Sequence, residues 1–161
     1  MYVIRIEGNL FVRSGATVYA NGVRIDGNIQ ADRAVRVQVR DNSSIGGDIQ
    51  VIRSGLLIVT SANIGGNLQA FDNSNDQLYF GNTIGGDLQA FDNYGTVSIW
   101  DNLIDGNLQC KDNVPPPTGG NNLVQGNMED QCENLLPDEF ATGRVLPSEW
   151  QFHLFLPAFV K

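Results

Sequence analysis

The sequence predicts an all-β fold, a right-handed parallel β-helix of about seven coils of 19–20 residues, and three observations predict it. First, a seven-residue motif recurs seven times, and its third residue is always a glycine, 19 or 20 positions after the last. Second, apolar and polar residues alternate within the motif with the period of two that a β-strand requires. Third, no segment shows the sustained 3.6-residue period of an amphipathic helix, which excludes a helical solenoid. The recurring glycines are Gly8, Gly27, Gly47, Gly66, Gly86, Gly106 and Gly126.

Each repeat is interpreted as one strand with an inner and an outer face. In the repeat at 64–70 (Ile-Gly-Gly-Asn-Leu-Gln-Ala), we expect the first, fifth and seventh residues to point into the core and the Gln to point outward. The glycine at the third position is interpreted as a corner residue with a positive φ. A second strand is expected to follow in each coil, and turn residues then lead into the next coil. These second strands are predicted at 17–20, 35–39, 56–59, 77–80 and 96–100.

Stacked coils place equivalent residues above one another, so columns of polar side chains form ladders. The residue after the recurring glycine is always Asn or Asp, and we expect this column to bond the backbone of the turns. A second column of Gln is expected to form an outward amide ladder. Ligand binding is the alternative for both columns. The turn column comprises Asn9, Asn28, Asp48, Asn67, Asp87, Asn107 and Asn127, and the amide column comprises Gln30, Gln50, Gln69, Gln89 and Gln109.

Regular repeat sequence ends near residue 132, which divides the chain into a repeat domain at 1–132 and a C-terminal cap or tail at 133–161. The stretch 114–121 (Val-Pro-Pro-Pro-Thr-Gly-Gly-Asn) is expected to replace the second strand of its coil with residues that cannot pair. The tail contains the apolar run 150–156, with the chain's single histidine, His153. We interpret this run as a cover over the open end of the β-helix, with contact to a second molecule or a membrane surface as the alternatives.

The two cysteines, Cys110 and Cys132, belong to successive coils and lie two positions out of register with each other. A bend in the last coil would bring them within bonding distance, so we predict a disulfide that pins this coil. The alternative is a pair of free buried thiols in a cytoplasmic protein. A disulfide favours a secreted or cell-surface location. No signal peptide is recognisable in the chain, so export would use a signal that the printed residues do not include.

The charge of the chain limits its partners. The formal net charge of −8 argues against nucleic acid, which requires a basic surface. Because no run of eighteen apolar residues occurs, we expect no transmembrane helix. Residues 1–60 contain seven Arg and five acidic residues, whereas 61–161 contain three basic and thirteen acidic residues. In a rod this distribution becomes a charge gradient, whose expected effect is solubility, with self-association as the alternative.

No combination of residue types predicts catalysis, a metal centre or a bound cofactor. The lone histidine lies in the tail, and the uniformly short coils provide no long loops to wall a substrate groove. Asp72, Asp92 and Asp112 stack in successive coils, where turn capping is the expected role and a shared cation such as calcium is the alternative. Phe71 and Phe91 are expected to form a two-rung aromatic stack beside this column. We therefore expect no enzymatic activity and no cofactor.

Several of these motifs resemble those of a group of bacterial secreted repeat proteins of uncharacterised function. They are Gly-Gly-Asn-Leu-Gln at 65–69, Gly-Asn-Leu-Gln-Cys at 106–110 and Gly-Asn-Met-Glu-Asp-Gln-Cys at 126–132. The resemblance covers residues 1–135 and includes both cysteines. More distantly, the coil is similar to bactofilins, which are polymer-forming β-helix proteins of the cytoskeleton, and to the repeats of filamentous adhesins. Bactofilins lack the cysteine-bearing end, and none of these families has catalytic residues to carry over.

Three functions are compatible with these features. The first is a non-enzymatic structural or adhesin-like module, secreted or exposed at the cell surface, with a cell-surface or glycan partner. The second is a self-assembling filament subunit similar to bactofilins, suggested by the charge gradient and by the open first coil at 2–12. The third is a carbohydrate-binding or carbohydrate-active protein, suggested by fold analogy alone.

Overall fold

A computed structural model describes residues 4–135 of the chain, and these residues form a parallel β-solenoid. Six complete coils are followed by a seventh that ends in a 3₁₀ helix, Gln131–Asn134, so the predicted fold with about seven coils is confirmed. Stacking at about 4.8 Å per coil makes a rod of roughly 30–35 Å. The interpretation of the apolar run 150–156 as an end cover concerns residues outside this range.

Each of the six complete coils contributes one strand to each of three parallel sheets, and the seventh contributes only to the first two. Sheet I consists of β1 (Arg5–Ile6), β4 (Arg24–Ile25), β7 (Ser44–Ile45), β10 (Asn63–Ile64), β13 (Thr83–Ile84), β16 (Leu103–Ile104) and β19 (Leu123–Val124). Sheet II consists of β2 (Leu10–Val12), β5 (Ile29–Asp32), β8 (Ile49–Ile52), β11 (Leu68–Phe71), β14 (Leu88–Phe91), β17 (Leu108–Lys111) and β20 (Met128–Asp130). Sheet III consists of β3 (Thr17–Asn21), β6 (Arg36–Arg40), β9 (Leu56–Thr60), β12 (Gln77–Phe80), β15 (Val97–Trp100) and β18 (Thr118–Gly120).

The prediction of two strands per coil is wrong, because each of the six complete coils has three. The additional strands are those of sheet I, which contain only two residues each and hold the aliphatic residue that opens the motif. Two residues are too few to show an alternation, so the sequence pattern does not reveal them. Pairing with the neighbouring coils defines them, as where Ile45 lies in register with both Ile25 and Ile64.

The prediction that 114–121 cannot pair is also wrong, both at Val114, which forms a parallel bridge with Tyr94, and over the second half of the stretch. Strand β18 pairs with β15 and places Thr118 beside Ser98 and Gly120 beside Trp100. The three prolines precede this strand, so their missing N–H groups lie at a corner and not within the ladder. The last proline, Pro117, is buried in the position that the core residue Val97 occupies one coil earlier.

The core consists of aliphatic columns that run along the rod, each formed by equivalent residues of successive coils. Each fully buried aliphatic side chain stabilises the fold by about 1.5–3 kcal/mol. Two of these columns come from the first and fifth motif positions, as predicted. They include Ile25, Ile45, Ile64, Ile84 and Ile104, and Ile29, Ile49, Leu68, Leu88 and Leu108, all at most 3% exposed.

One polar pair interrupts the aliphatic core in the fourth coil. Gln77 and Tyr79 occupy inward positions of β12, where the next coil has Val97 and Ile99. The Tyr79 hydroxyl donates a hydrogen bond to Gln77 Oε1. The Nε2 atom of Gln77 is buried and has no hydrogen-bond partner among residues 4–135. Burial raises the pKa of Tyr79 well above its ordinary value.

Replacing this pair with apolar residues is expected to stabilise the protein. Tyr79→Phe alone should cost about 1–3 kcal/mol because it leaves Gln77 with more unpaired buried atoms, whereas Gln77→Leu with Tyr79→Phe removes every unpaired group. We expect the double variant to exceed the wild type by about 1 kcal/mol in urea unfolding at pH 7. A double variant less stable than Tyr79→Phe would contradict this account.

The same tyrosine predicts a dependence on alkaline pH. Because the folded-state pKa of Tyr79 is raised, its contribution to stability is complete below the unfolded-state value of about 10 and is lost as the pH rises above it. The double variant should therefore lose less stability than the wild type between pH 9 and pH 11 in thermal unfolding. Equal losses in the two proteins would contradict the prediction.

Candidate functional surfaces

The Asn and Asp column after the recurring glycine forms a ladder along the corner between sheets I and II. Each side-chain Oδ1 accepts a hydrogen bond from the backbone N–H of the equivalent residue in the next coil. The N–O distances are 2.7–2.8 Å at all six steps, from Asn9 to Asn127. Asp48 and Asp87 form the same hydrogen bond as the Asn residues, because the bond uses only one side-chain oxygen as acceptor. The column thus ties every coil to the next.

Among the recurring glycines, the predicted positive φ is found only at Gly8, with φ +94°, and is wrong for the others. The later glycines are required instead because the neighbouring coil approaches their Cα atoms closely. In each later coil, a Cβ on this glycine would lie less than 3 Å from the Oδ1 of the Asn or Asp in the preceding coil. The ladder oxygen occupies the space that a side chain would fill. The affected positions are Gly27, Gly47, Gly66, Gly86, Gly106 and Gly126.

A second ladder, of buried asparagines, runs inside the corner between sheets II and III. It consists of Asn73, Asn93 and Asn113, all at most 2% exposed. Asn93 Nδ2 donates to the Ala70 carbonyl at 3.0 Å and to Asn113 Oδ1 at 2.8 Å. Its Oδ1 accepts from the backbone N–H and the side-chain Nδ2 of Asn73. A buried ladder at this corner was not predicted, although the 20-residue spacing of the three asparagines is visible in the sequence.

A third ladder occupies the remaining corner, between sheets III and I, and consists of Asn82, Asn102 and Asn122. Asn102 Nδ2 donates to the Tyr79 carbonyl at 3.0 Å and to Asn122 Oδ1 at 2.9 Å. The sequence pattern did not predict a ladder at this corner. All three corners of the solenoid therefore carry a ladder of asparagine or aspartate side chains.

The predicted column of Asp72, Asp92 and Asp112 lies on the outside of the corner whose interior holds the Asn93 ladder. These exposed residues have φ values of 54–55°. In the two preceding coils, Arg33 and Arg53 take the same conformation at this corner, with φ 54° and 49°. The outer corner thus changes from positive to negative along the rod. Within residues 4–135, no group of three or more His, Cys, Asp or Glu side chains is arranged to hold a metal ion.

The outward Gln column on sheet II forms an amide ladder from the third coil onward. Each Nε2 donates to the next Oε1 along Gln50, Gln69, Gln89 and Gln109, at 3.1, 2.8 and 2.7 Å. The final donor, Gln109, bonds Glu129 Oε2 at 2.6 Å. Beside this ladder, the predicted stack of Phe71 and Phe91 is confirmed, with ring centroids 5.3 Å apart and planes at 22°.

An open groove lies on the outer side of sheet II in the first three coils. Its side chains include Phe11, Arg13, Gln30, Asp32, Gln50, Ile52 and Arg53. The Phe11 ring is 61% exposed, and Asp32 accepts hydrogen bonds from Arg53 Nε at 3.0 Å and Arg33 Nη1 at 3.5 Å. Arg53 Nη2 also lies 2.9 Å from Asp32 Oδ1. An aromatic ring beside guanidinium, carboxylate and amide groups can contact both the face and the hydroxyls of a sugar.

The sequence reasoning missed this groove. The available signal was Phe11, which stands in the outward column where the next five coils carry Gln, in register with Gln30.

The first half of the rod also carries an exposed ion-pair cluster on sheet I. Asp26 accepts hydrogen bonds from Arg5 at 2.6 and 2.9 Å and from Arg24 at 2.9 Å. These bonds, first that of Arg5 and then that of Arg24, lower the pKa of Asp26. Because the coils stack in chain order, the charge gradient extends along the axis: residues 4–60 contain seven Arg, whereas Lys111 is the single Lys or Arg within 61–135.

The predicted disulfide joins Cys110 and Cys132 at the C-terminal end of the described solenoid. Cys110 lies in register with Asp130, and the following 3₁₀ helix turns Cys132 back toward it, with the Cα atoms 5.1 Å apart. Both cysteines are fully buried, and Leu135 packs beside them at 5% exposure. The bend, the bond and Leu135 together cover the end of the core.

Removing this disulfide is expected to lower the free energy of unfolding by about 3 kcal/mol, the chain-entropy value for a loop of this length. The variant is Cys110→Ala with Cys132→Ala, since alanine is the residue that Ala70 and Ala90 supply at the equivalent position. Urea unfolding measures the loss, and intact mass with and without reductant checks the bond. A wild-type mass that does not rise by two hydrogens on reduction would contradict it.

No protein-family model, curated protein or solved structure matches this chain. Within residues 4–135, no helix is long and apolar enough to cross a lipid bilayer. The functional proposal therefore depends on the geometry of the three sheets and their corners.

Proposed function

We propose that this protein is a non-enzymatic structural or adhesin-like module, secreted or displayed at the cell surface, that acts through the outer faces of a rigid rod. The observation that carries the proposal is the continuity of the side-chain ladders. One ladder runs along each of the three corners, and a fourth runs along the outer face of sheet II. Such cross-links between successive coils resist local opening, which suits a spacer or a display scaffold.

The extracytoplasmic location is supported by the disulfide. Structural disulfides form and persist in oxidising compartments and are rare in the reducing cytosol. The Cys110–Cys132 bond is buried at the end of the rod, where it pins the last coil. Chain ends are preferred sites of proteolysis, so a protein exposed to proteases outside the cell benefits from a covalent bond at this end of the rod.

The recognition surface proposed for the adhesin-like role is the groove beside Phe11, and the proposed ligand is a glycan. Disulfide-intact, full-length protein would be labelled and applied to a glycan array. Phe11→Ser should reduce binding at least about tenfold, the effect of losing one well-placed contact of roughly 1.4 kcal/mol. Tyr94→Ser is the matched control, because Tyr94 is an equally exposed aromatic residue, 59% against 61%, outside the groove.

Three outcomes of this experiment would count against the proposal. A blank array would remove the glycan-binding role, and equal effects of the two substitutions would remove the groove as the binding surface. Cleavage of pectin, alginate or a bound glycan by the wild type would overturn the non-enzymatic assignment and favour a carbohydrate-active enzyme.

A filament subunit is the second candidate, and the first coil favours it. Among residues 4–135, strands β1, β2 and β3 each pair on one side only, so their other edges are available to a second chain. The opposite end is covered by the 3₁₀ helix and Leu135, so stacking through both ends requires this cover to move. Sedimentation velocity at low and high salt tests whether the protein polymerises. Long polymers would favour the filament subunit and overturn the proposal of a structural or adhesin-like module.

A further inference from the structure

The outer face of sheet III carries a patch of large apolar side chains, here called the apolar face. Its members alternate along β9, β12 and β15 with core residues and so point away from the core. The outward face of an exposed sheet is normally polar, as the Gln ladder of sheet II is. The apolar face comprises Leu56, Ile58, Leu78, Phe80 and Trp100.

One member of the apolar face, Ile58, is buried more deeply than a position on an outer face explains. Ile58 is only 1% exposed although it points outward and does not belong to the core cluster. Gln38, beside it in the preceding coil, is 6% exposed. The equivalent outward residues of sheet II, such as Gln69 and Gln89, are only half-buried by their ladder neighbours. Stacking alone therefore leaves more exposure than Ile58 retains.

Two arginines at the edge of the apolar face each have a buried Nε–H group without an acceptor. Arg36 and Arg40 flank Gln38 on β6, and the Nε atoms of both are buried without a hydrogen-bond partner among residues 4–135. Arg36 does bond Gln38 Oε1 through Nη2, at 3.1 Å. Buried N–H groups of this kind are normally paired. An occupant of the apolar face should therefore bring both apolar side chains and a hydrogen-bond acceptor.

The chain itself contains such an occupant. The 26 residues after Leu135 include the run 150–156 (Trp-Gln-Phe-His-Leu-Phe-Leu), which Glu149 precedes, and also Asp138 and Glu139. The end of the rod is already covered by the disulfide and Leu135, so this run is not needed there. The apolar face lies two to four coils back, or about 10–20 Å, and fifteen residues can span about 50 Å.

We propose that residues 147–157 of the same chain dock on the apolar face, with an acidic side chain of the tail accepting hydrogen bonds from Arg36 or Arg40. The outward residues of β18, Thr118 and Gly120, are small. They therefore leave room for a chain segment to cross from the end of the rod to the apolar face. The docked segment would shield the outer apolar side chains of sheet III from aggregation. This role is independent of what the groove beside Phe11 binds.

Cysteine cross-linking of the full-length protein tests the proposal. Leu78→Cys on the apolar face is combined in turn with a single cysteine at 152, 154 or 156, under mild oxidation, with the native disulfide verified by peptide mass. The matched control replaces Leu78→Cys by Gln69→Cys, a half-buried outward position on sheet II. We expect an intramolecular cross-link to position 78 in at least one pair, and at least tenfold less to position 69.

Two cross-linking outcomes would overturn the proposal. Absent or equal cross-linking at 78 and 69 would mean that the tail does not dock there. Cross-links between chains would assign the apolar face to a second copy.

A dye-binding measurement completes the test without introduced cysteines. Phe152→Ser with Phe155→Ser should raise the binding of a hydrophobic dye such as ANS severalfold, because Ile58 and its neighbours become exposed. Gln151→Ser is the control and should leave dye binding unchanged. Dye binding that stays at the wild-type level in the double variant would overturn the proposal.

Discussion

Asn93→Ala is expected to lower the free energy of unfolding by about 4 kcal/mol, because it removes the central rung of a fully buried ladder. The side chain bonds the Ala70 carbonyl, Asn113 Oδ1, and both the backbone and side-chain N–H groups of Asn73. Each buried partner left unsatisfied costs about 1–3 kcal/mol, and the cavity adds to this cost. Partial relaxation of the corner keeps the total below the sum of these terms.

Urea unfolding of the variant measures this loss, and two substitutions provide the comparison. Asn93→Ser should cost less than Asn93→Ala, because serine already acts as a rung where Ser54 Oγ accepts from the Ala34 N–H at 3.0 Å. Asn63→Ala, at an exposed asparagine of β10, should change stability by no more than about 0.5 kcal/mol. If Asn93→Ala cost no more than Asn63→Ala, the buried ladder would not be a determinant of stability.

Gly86→Ala is expected to cost about 3 kcal/mol, for a different reason. The added Cβ would meet Asn67 Oδ1 far inside contact distance, with Asn67 Cγ at 3.0 Å and the Gly66 carbonyl carbon at 3.1 Å. Two of these three atoms belong to the ladder side chain that accepts from the Asp87 N–H. Either the coils separate locally or this hydrogen bond breaks, and overpacking of this kind costs about 1–3 kcal/mol before the bond is counted.

A double-mutant cycle identifies the cause of this loss. Asn67→Ala removes the side chain that collides with the new Cβ, so Gly86→Ala combined with Asn67→Ala should cost less than the sum of the single changes. Gly81→Asn is the control glycine substitution. Gly81 has φ +64°, a conformation that asparagine tolerates and that Asn121 adopts at the equivalent position, and its own surroundings are open. Strict additivity in the cycle would contradict the close-approach explanation.

The features that follow from local pattern were predicted from the sequence. The period of two separates inward Leu88 from outward Gln89, and the 20-residue spacing places Gln89 above Gln69. The disulfide was predictable because the two-residue offset between Cys110 and Cys132 requires only a bend in the last coil. These predictions need only the strand alternation and the repeat length.

The features that depend on contacts between corners were not predicted. Asn73 and Asn93 resemble ordinary exposed turn residues in sequence, and only the closing of the coil places them inside a corner. The glycine at 86 was interpreted through its own backbone, whereas the requirement comes from Asn67 in the preceding coil. The groove beside Phe11 likewise forms only when three coils bring an aromatic ring, Asp32 and Arg53 together.

By itself, the sequence determined the length of each coil, the side of the strand that faces the core, the register of stacking and the disulfide that pins the last coil. The tertiary structure decided which glycines are indispensable, which asparagines are buried and which outer surfaces are polar, apolar or grooved. The physical reason is the separation of the partners: these contacts join residues about twenty positions apart, and they exist only after each coil has closed on the one before it.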